Sequence, residues 1–238
     1  MRQIVVTGGA GFIGSNFVRY MLAAYPDVHI VTFDKLTYAG NLDNLKGVDA
    51  TRHTFIKADI ADKKAIKTAM KGCSAVVNFA AGSHVDRSIM DADDFIATNV
   101  TGVYNICEAA HELGTSRALF VSTDEVYGSI DEGSFTEQAP PRPGNPYSAS
   151  KAAGDLIALA HFNTFGTPVI VTRGSNTYGP YQYPEKVLPL FVTNALDDEP
   201  LPLYSGGENN VRDWLYVEDH CRGIDTVLQE GKPGEIYN

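Results

Sequence analysis

Cysteine is scarce in these 238 residues. Cys73, Cys107 and Cys221 are odd in number and at spacings that match no metal-ligand motif, which excludes a disulfide framework and a cysteine zinc site. No metal is expected. Positive charge is also in deficit, with 19 Lys and Arg against 29 Asp and Glu and a formal net charge of -10. Sequence-independent binding of nucleic acid draws on Lys and Arg neutralising phosphates, so a nucleic-acid partner is excluded, and an anionic ligand needs its own local cluster of basic groups. No apolar run approaches the roughly 18 residues of a membrane span. The opening residues run straight into a strand pattern instead of a cleavable leader, so the expected location is cytoplasmic, with no membrane partner. Internal repeats and low-complexity tracts are absent.

What is present is alternation. Short, nearly continuous apolar runs at Arg2–Thr7, Val28–Asp34, His53–Asp59, Ala75–Ala80, Ala118–Thr123 and Val169–Arg173 read as strands. Between them Phe12–Ala24, Ala61–Met70, Asp94–His111 and Ser148–Phe165 carry apolar residues at helical spacing. Strands of this kind alternating with helices predict an α/β fold whose parallel sheet is covered on both faces. Beyond Gly174 the prolines at 180, 184, 189, 200 and 202 interrupt shorter elements. The chain is therefore divided into a sheet domain over 1–173 and smaller substrate-binding segments over 174–238, on the carboxyl edge where doubly wound folds hold ligands. The last residues, Glu235-Ile236-Tyr237-Asn238, read as a strand with no closing helix, and the C-terminal lobe is expected to be incomplete.

Thr7-Gly8-Gly9-Ala10-Gly11-Phe12-Ile13-Gly14 places glycines at 8, 11 and 14 between a strand and a helix. The backbone can then turn tightly and bring the helix N-terminus against a pyrophosphate, the fingerprint of a Rossmann-type dinucleotide site. Asp34 ends the second strand twenty positions after Gly14, where a carboxylate meets the adenosine ribose. It would repel a 2′-phosphate, and the glycine turn holds no Arg or Lys, so NAD is expected over NADP. Phe12 and Ile13 within the turn, Lys35 and Thr37 beyond Asp34, Asp59 and Ile60 after the third strand, and Ala80 and Ala81 after the fourth complete the candidate cofactor contacts. Asp59 could equally be a turn-forming residue at a strand end.

Tyr147 and Lys151 lie four apart, one helical turn, so both project from one face. An isolated Tyr, with a pKa of about 10, is a poor base at neutral pH. An ammonium some 4 Å away is worth roughly 4 kcal/mol at an effective dielectric of 20, the order of three pKa units. The expectation is that Lys151, together with the positive nicotinamide ring acting in the same direction, makes Tyr147 a usable base toward a sugar hydroxyl while the ring accepts the hydride. Such a pair also occurs on ordinary solvated helices. Ser122-Thr123-Asp124-Glu125 closes the fifth strand. Two adjacent carboxyls there can take two roles, one removing a proton next to a ketone while the other, protonated, assists a departing hydroxyl. The plain alternative is an acidic turn or helix cap.

The segments TGGAGFIGS (7–15), LTYAGN (36–41), SHVDRSI (83–89), STDEVYGS (122–129), PYSASK (146–151), NTYGPYQYPEK (176–186) and RDWLYVEDH (212–220) span nearly the whole chain. Together they resemble the extended short-chain dehydrogenases and, within them, most closely the dTDP-glucose 4,6-dehydratase family. The glycine motif and YxxxK mark only the superfamily, whereas Thr-Asp-Glu, PEK and RDWLYVEDH are particular to dehydratases of nucleotide hexoses. The resemblance implies a lyase with a closed redox cycle on one NAD. By that likeness Tyr147, assisted by Lys151 and Thr123, would remove the C4 hydroxyl proton as the C4 hydride passes to NAD; Glu125 would take the C5 proton, Asp124 would protonate the leaving C6 hydroxyl, and the hydride would return to C6, leaving a 4-keto-6-deoxy sugar nucleotide.

By the same likeness Asn176, Glu185, Lys186 and Arg212 would hold the nucleotide diphosphate end and Ser83 and His84 the sugar. It also implies a homodimer through the helical stretch Val100–His111. Two departures stand out: Gly82 replaces the family's usual Glu, and 205–210 is one residue longer than the usual loop before the Arg. A nucleotide-sugar 4-epimerase would share the cradle, Tyr147 and Lys151 but needs no carboxyl pair at 124 and 125. A catalytically silent NAD-binding regulator would need neither.

Overall fold

The apolar runs pair side by side as one parallel sheet in the computed structural model, which describes residues 2–83, 85–203, 207 and 210–238, with 86 and 87 described by their backbone alone. In chain order the elements are β1 (Arg2–Thr7), α1 (Phe12–Ala24), β2 (Val28–Asp34), β3 (His53–Lys57), α2 (Lys63–Ala69), β4 (Ala75–Asn78), α3 (Val85–Met90), α4 (Asp93–Ile96), α5 (Val103–Leu113), β5 (Arg117–Thr123), α6 (Pro146–Phe165), β6 (Val169–Gly174), β7 (Asn176–Tyr178), α7 (Val187–Leu196), β8 (Trp214–Tyr216), α8 (Val217–Glu230) and β9 (Ile236–Tyr237). The main sheet runs β3-β2-β1-β4-β5-β6-β9, the doubly wound order in which strand order reverses beside β1. No helix among the described residues is long and apolar enough to cross a membrane.

Alternate residues of each strand feed two cores, which is why both faces read as apolar. Val5, Phe33, Val76 and Phe120 pack with Ile66 and Ile106 beneath α2, α5 and α6. Ile4, Val6, Ile30, Val77 and Leu119 pack with Phe17 and Met21 of α1 and Ile224 and Leu228 of α8. Each of these fully buried side chains is worth roughly 1.5–3 kcal/mol of burial. The cysteines are buried within the same two cores and unpaired.

Local chemistry moved several expected boundaries. α2 starts at Lys63, not 61, because Asp62 caps it by accepting from the amides of Lys64 and Ala65. α6 starts at Pro146, two residues early, behind Asn145, whose side chain and Ser148 form a reciprocal capping box. β3 ends at Lys57 and β4 at Asn78, each two residues short of expectation, where pairing with the neighbouring strand stops. The helix expected over Asp94–His111 is interrupted by a widened turn, Ala97–Gly102. There Gly154 of α6 approaches so closely that a Cβ would lie 2.4 Å from the Asn99 carbonyl oxygen, and a Cβ at Gly102 would meet Ile60 at 2.4 Å.

The expected division at 173/174 is not a division of the sheet. α8 packs on α1, and β9 extends the sheet beside β6 with Val171 opposite Ile236. What stands apart is the intervening stretch, where β7 and β8 form their own two-stranded parallel sheet and α7 buries none of its residues.

Candidate active site

The glycine turn joins β1 to α1 at the carboxyl edge. Gly8 adopts φ +68, and a Cβ on it would lie 2.5 Å from the Ala80 amide nitrogen; one on Gly14 would lie 2.3 Å from the Gly8 carbonyl oxygen. Only glycine allows these approaches. Gly11 caps α1 without a side-chain partner for its first amides, the donors a pyrophosphate would meet. Phe12 and Ile13 are half-buried against the α1 core, and Ala80 and Ala81 follow β4 beneath the turn.

Asp34 fixes the far wall of this cradle. Its carboxylate accepts from the amides of Ala10 (3.0 Å) and Leu36 (2.8 Å), while the Ala10 carbonyl accepts from the Asn44 side chain and the Asn41 amide. Burial raises the Asp34 pKa and those two amides oppose the rise. Lys35 and Asp59, expected as separate contacts, are ion-paired to each other at 2.8 Å. Thr37 is exposed in the loop after β2. Ile60 differs from expectation: its side chain is 3% exposed and belongs to the core, and its carbonyl accepts from Asn105, so only what remains of its backbone faces the edge.

Thr123, Asp124, Glu125 and Tyr147 come together at the end of β5. Thr123 is both the last residue of the strand and the cap of a single turn, Asp124–Tyr127; its hydroxyl accepts from the Glu125 amide and donates to Asp124. The Asn145 cap puts Tyr147 at the first turn of α6, facing this group. The Tyr147 pKa is raised above the ordinary phenol range by burial first, then by the Glu125 carboxylate, with the Thr123 hydroxyl opposing. Asp124 is raised by burial, against the hydrogen bond from Thr123. Glu125 is raised by burial, against hydrogen bonding with Asn145, and raised further by Asp124, while Lys186 and Arg212 pull it down. Both carboxyls thus hold protons more readily than free ones.

One expectation is corrected here. Lys151 shares the face with Tyr147, but its ammonium donates to the Val121 carbonyl at 2.8 Å, and Tyr147 is not held down. The cost of burying a phenolate dominates at a group 9% exposed, and it outweighs the attraction that a four-residue spacing provides.

Lys186, the cap of α7, reaches across to donate to the Ser83 carbonyl at 3.1 Å, and its charge and that of Arg212 both act on Glu125. Asn176 opens β7, paired opposite Trp214, and Glu185 precedes Lys186, half-buried. The Tyr38 and Tyr183 rings meet edge to face at 5.7 Å, so the loop after β2 touches this segment. His84 and most of the loop 205–210 lie outside the described residues. At the departure Gly82, a Cβ would sit 2.8 Å from the Phe95 ring, and the Gly82 backbone is bound on both sides by the Asn99 amide.

Four polar residues that sequence reading missed order this site. Asn99 also donates to Ser150 (2.8 Å), tying the Gly82 loop to α6; Ser88 accepts from the Tyr147 amide (3.2 Å); Asn145 caps α6 and binds Glu125; and Asp155 lies one turn beyond Lys151. Asn99, Ser88 and Asn145 each join segments apart in the chain and do not follow from spacing, whereas Asp155 continues the four-residue spacing of Tyr147 and Lys151. The Asn145 cap had a local sign, Asn before Pro at the start of a helical run.

Against known proteins, the family described as GDP-mannose 4,6 dehydratase matches residues 5–238. The low-salt glycan biosynthesis protein Agl12 of Haloferax volcanii is 50% identical over 99% of this chain and 76% of its own. A dTDP-glucose 4,6-dehydratase of Streptomyces griseus is 51% identical over 99% of this chain and 72% of its own. A DesIV double mutant, a dTDP-glucose 4,6-dehydratase from Streptomyces venezuelae crystallised with NAD, superposes with a TM-score of 0.96 at 54% identity, covering 100% of this chain and 74% of that one.

Proposed function

The chain belongs to the GDP-mannose 4,6-dehydratase family, and from that premise we propose that it is an NAD-dependent lyase that removes water from a nucleotide-activated hexose, converting dTDP-glucose to dTDP-4-keto-6-deoxyglucose. The observation that carries this reading is the meeting of Tyr147 with Asp124 and Glu125, two carboxyls raised by burial of which Glu125 alone is also pulled toward its ionised form by the charges of Lys186 and Arg212. An oxidation alone needs Tyr147; only an elimination needs two carboxyls with separate tasks.

Gly8, Gly11 and Gly14 make the room for NAD, with Phe12, Ile13, Asp34, Lys35, Thr37, Asp59, Ile60, Ala80 and Ala81 around it; bound there, NAD would supply a two-electron oxidation at C4 and, once water has left, a matching two-electron reduction at C6, with the proton held on Glu125 returned to C5. Tyr147, held protonated by burial, is drawn to its ionised form by the positive charge that NAD would add to that of Lys151, and with the Thr123 hydroxyl on its phenol it takes the C4 hydroxyl proton. The resulting ketone acidifies the C5 hydrogen, which Glu125 removes as a proton. Asp124 gives its proton to the C6 oxygen, the C6–O bond breaks, and water leaves. Lys186, Arg212, Asn176 and Glu185 hold the diphosphate and nucleoside, and Ser83 and His84 face the sugar. These basic side chains supply the local cationic cluster that an acidic protein needs for an anionic substrate.

In this division 1–173 supplies the cofactor contacts, the reacting groups and the sugar-side Ser83 and His84, and 174–238 supplies the diphosphate and nucleoside contacts. The enzyme is read as a cytoplasmic homodimer. Buried, unpaired cysteines suit a reducing compartment. Tyr104, Leu156 and Phe165, 42%, 54% and 53% exposed on α5 and α6, offer an apolar face to a second copy.

The test is incubation of the protein with dTDP-glucose and NAD, read by absorbance of the keto product in alkali and by mass spectrometry. A product lighter by one water, absent with Glu125→Gln, is the expected result. An epimerised sugar of unchanged mass would overturn the roles given to Asp124 and Glu125.

A further inference from the structure

The stripe of α6 that carries Tyr147 and Lys151 continues, one turn on, to Asp155, 3% exposed. From β6, Arg173, itself 5% exposed, donates through Nε to Asp155 Oδ2 at 3.0 Å, and its guanidinium lies 4.7 Å from the centre of the Tyr127 ring. The proposed chemistry uses neither residue. A buried ion pair is a poor device for stability alone, because desolvating two charges costs about as much as their attraction returns. This pair stands beside a third buried charge, Lys151, 8% exposed. Without Asp155, Lys151 and Arg173 would be two cations against the same interior wall with no counter-charge.

We propose that Asp155, braced by Arg173, is a positioning residue that keeps Lys151 charged and fixed behind Tyr147. Asp155 works through its field, since the Lys151 ammonium is turned to the Val121 carbonyl of β5. Burial pushes the Lys151 pKa down and Asp155 opposes it; in the other direction burial raises Asp155, and Lys151, Arg173 and the Ser122 hydroxyl favour its ionised form. α3 offers the neutral Ser88 to the Tyr147 amide. β5 offers the Val121 carbonyl and Ser122, β6 offers Arg173, and the turn after β5 offers Asp124 and Glu125, whose charges fall on Tyr147. The widened turn before α5 offers the neutral Asn99 through Ser150.

The inference rests on Tyr147 and Lys151 being the base and its partner, so its test has one readout that needs turnover and one that does not. In the NAD-loaded enzyme acting on dTDP-glucose, Asp155→Asn should move the alkaline limb of the kcat profile down by about one to two pH units, the usual effect of removing one nearby charge, with KM nearly unchanged. Asp155→Glu should bring the limb back. In parallel, the Lys151 side-chain amine, labelled with 15N and assigned by its loss in Lys151→Arg, should titrate lower by the same amount in Asp155→Asn. A folded Asp155→Asn protein whose kcat falls equally at every pH, with both the limb and the Lys151 titration where they were, overturns the proposal. Should Asp155→Asn not fold, the wild-type titration decides: Lys151 still protonated at pH 9 supports the proposal, and deprotonation below pH 8 refutes it. If wild type forms no product at all, the proposed function fails, and the nitrogen titration still judges Asp155.

Discussion

On β5 and α6 the charged and acidic groups of the site are buried or half-buried and each is met from inside the fold: Asp124 by Thr123, Glu125 by Asn145, Lys151 by the Val121 carbonyl, Asp155 by Arg173. Between β6 and α8 the opposite holds. α7 buries none of its ten residues, Val192 and Leu196 are exposed, and Arg212 is exposed with its guanidinium on the neighbouring Val211 carbonyl. The two regions meet at Glu125, acted on by Asn145 from one and by Lys186 and Arg212 from the other. The difference teaches that the groups proposed to react are fixed by the interior of the fold, whereas those proposed to hold the anion reach the site on long side chains from a segment with little core of its own.

The largest test of that contrast is Tyr147→Phe, which removes the base and leaves its burial intact. It should lower kcat by about 10²–10⁴-fold with thermal stability unchanged, measured by product absorbance and calorimetry. If stability fell in step, the phenol would be a packing group.

His220 sits where the regions join, its Nδ1 bonded to Thr177 at 2.9 Å and its Nε2 so near Gly174 that a Cβ there would lie 2.6 Å away. Burial lowers its pKa from 6.5 to about 4. The unfolded chain then binds the extra proton first as pH falls, so the contribution is whole above pH 6.5 and is lost progressively toward pH 4. Denaturant titration should show a loss of about 3 kcal/mol across that window, flattened in His220→Gln.

Lys186→Ala probes the other region. It should raise KM for the sugar nucleotide about 10- to 100-fold, the worth of one charge-assisted contact, without shifting the melting temperature. Equal loss of KM and stability would mean that Lys186 is as built-in as Lys151. The smallest effect belongs to α7 itself: Leu196→Ser, at a residue 78% exposed, should change the unfolding free energy by less than about 0.5 kcal/mol.

The parts legible in the sequence are those where backbone geometry dictates residue type or where one helical turn dictates spacing. Gly8 and Gly14 had to be glycine because the chain passes within 2.5 Å of where their side chains would be. Tyr147 and Lys151 share a face because they are four apart. Asn99, Ser88 and Arg173 were illegible because their partners Ser150, Tyr147 and Asp155 lie 51, 59 and 18 residues away, and a lone polar residue has no period. The direction of the Tyr147 shift was misread for a related reason: burial is a property of the whole fold, and the pair spacing carries no information about it.

The carboxylate of Asp34, proposed to repel a 2′-phosphate, is also the group that pins the Ala10 and Leu36 amides, and Lys35, the next residue, is tied to Asp59. Cofactor choice and the shape of the glycine turn are therefore a single inherited trait. Exchanging Asp34 for a small neutral residue is expected to free the Ala10 and Leu36 amides while leaving Lys35 on Asp59, so a variant built to take the phosphorylated cofactor is expected to need changes at 34, 35 and 59 together.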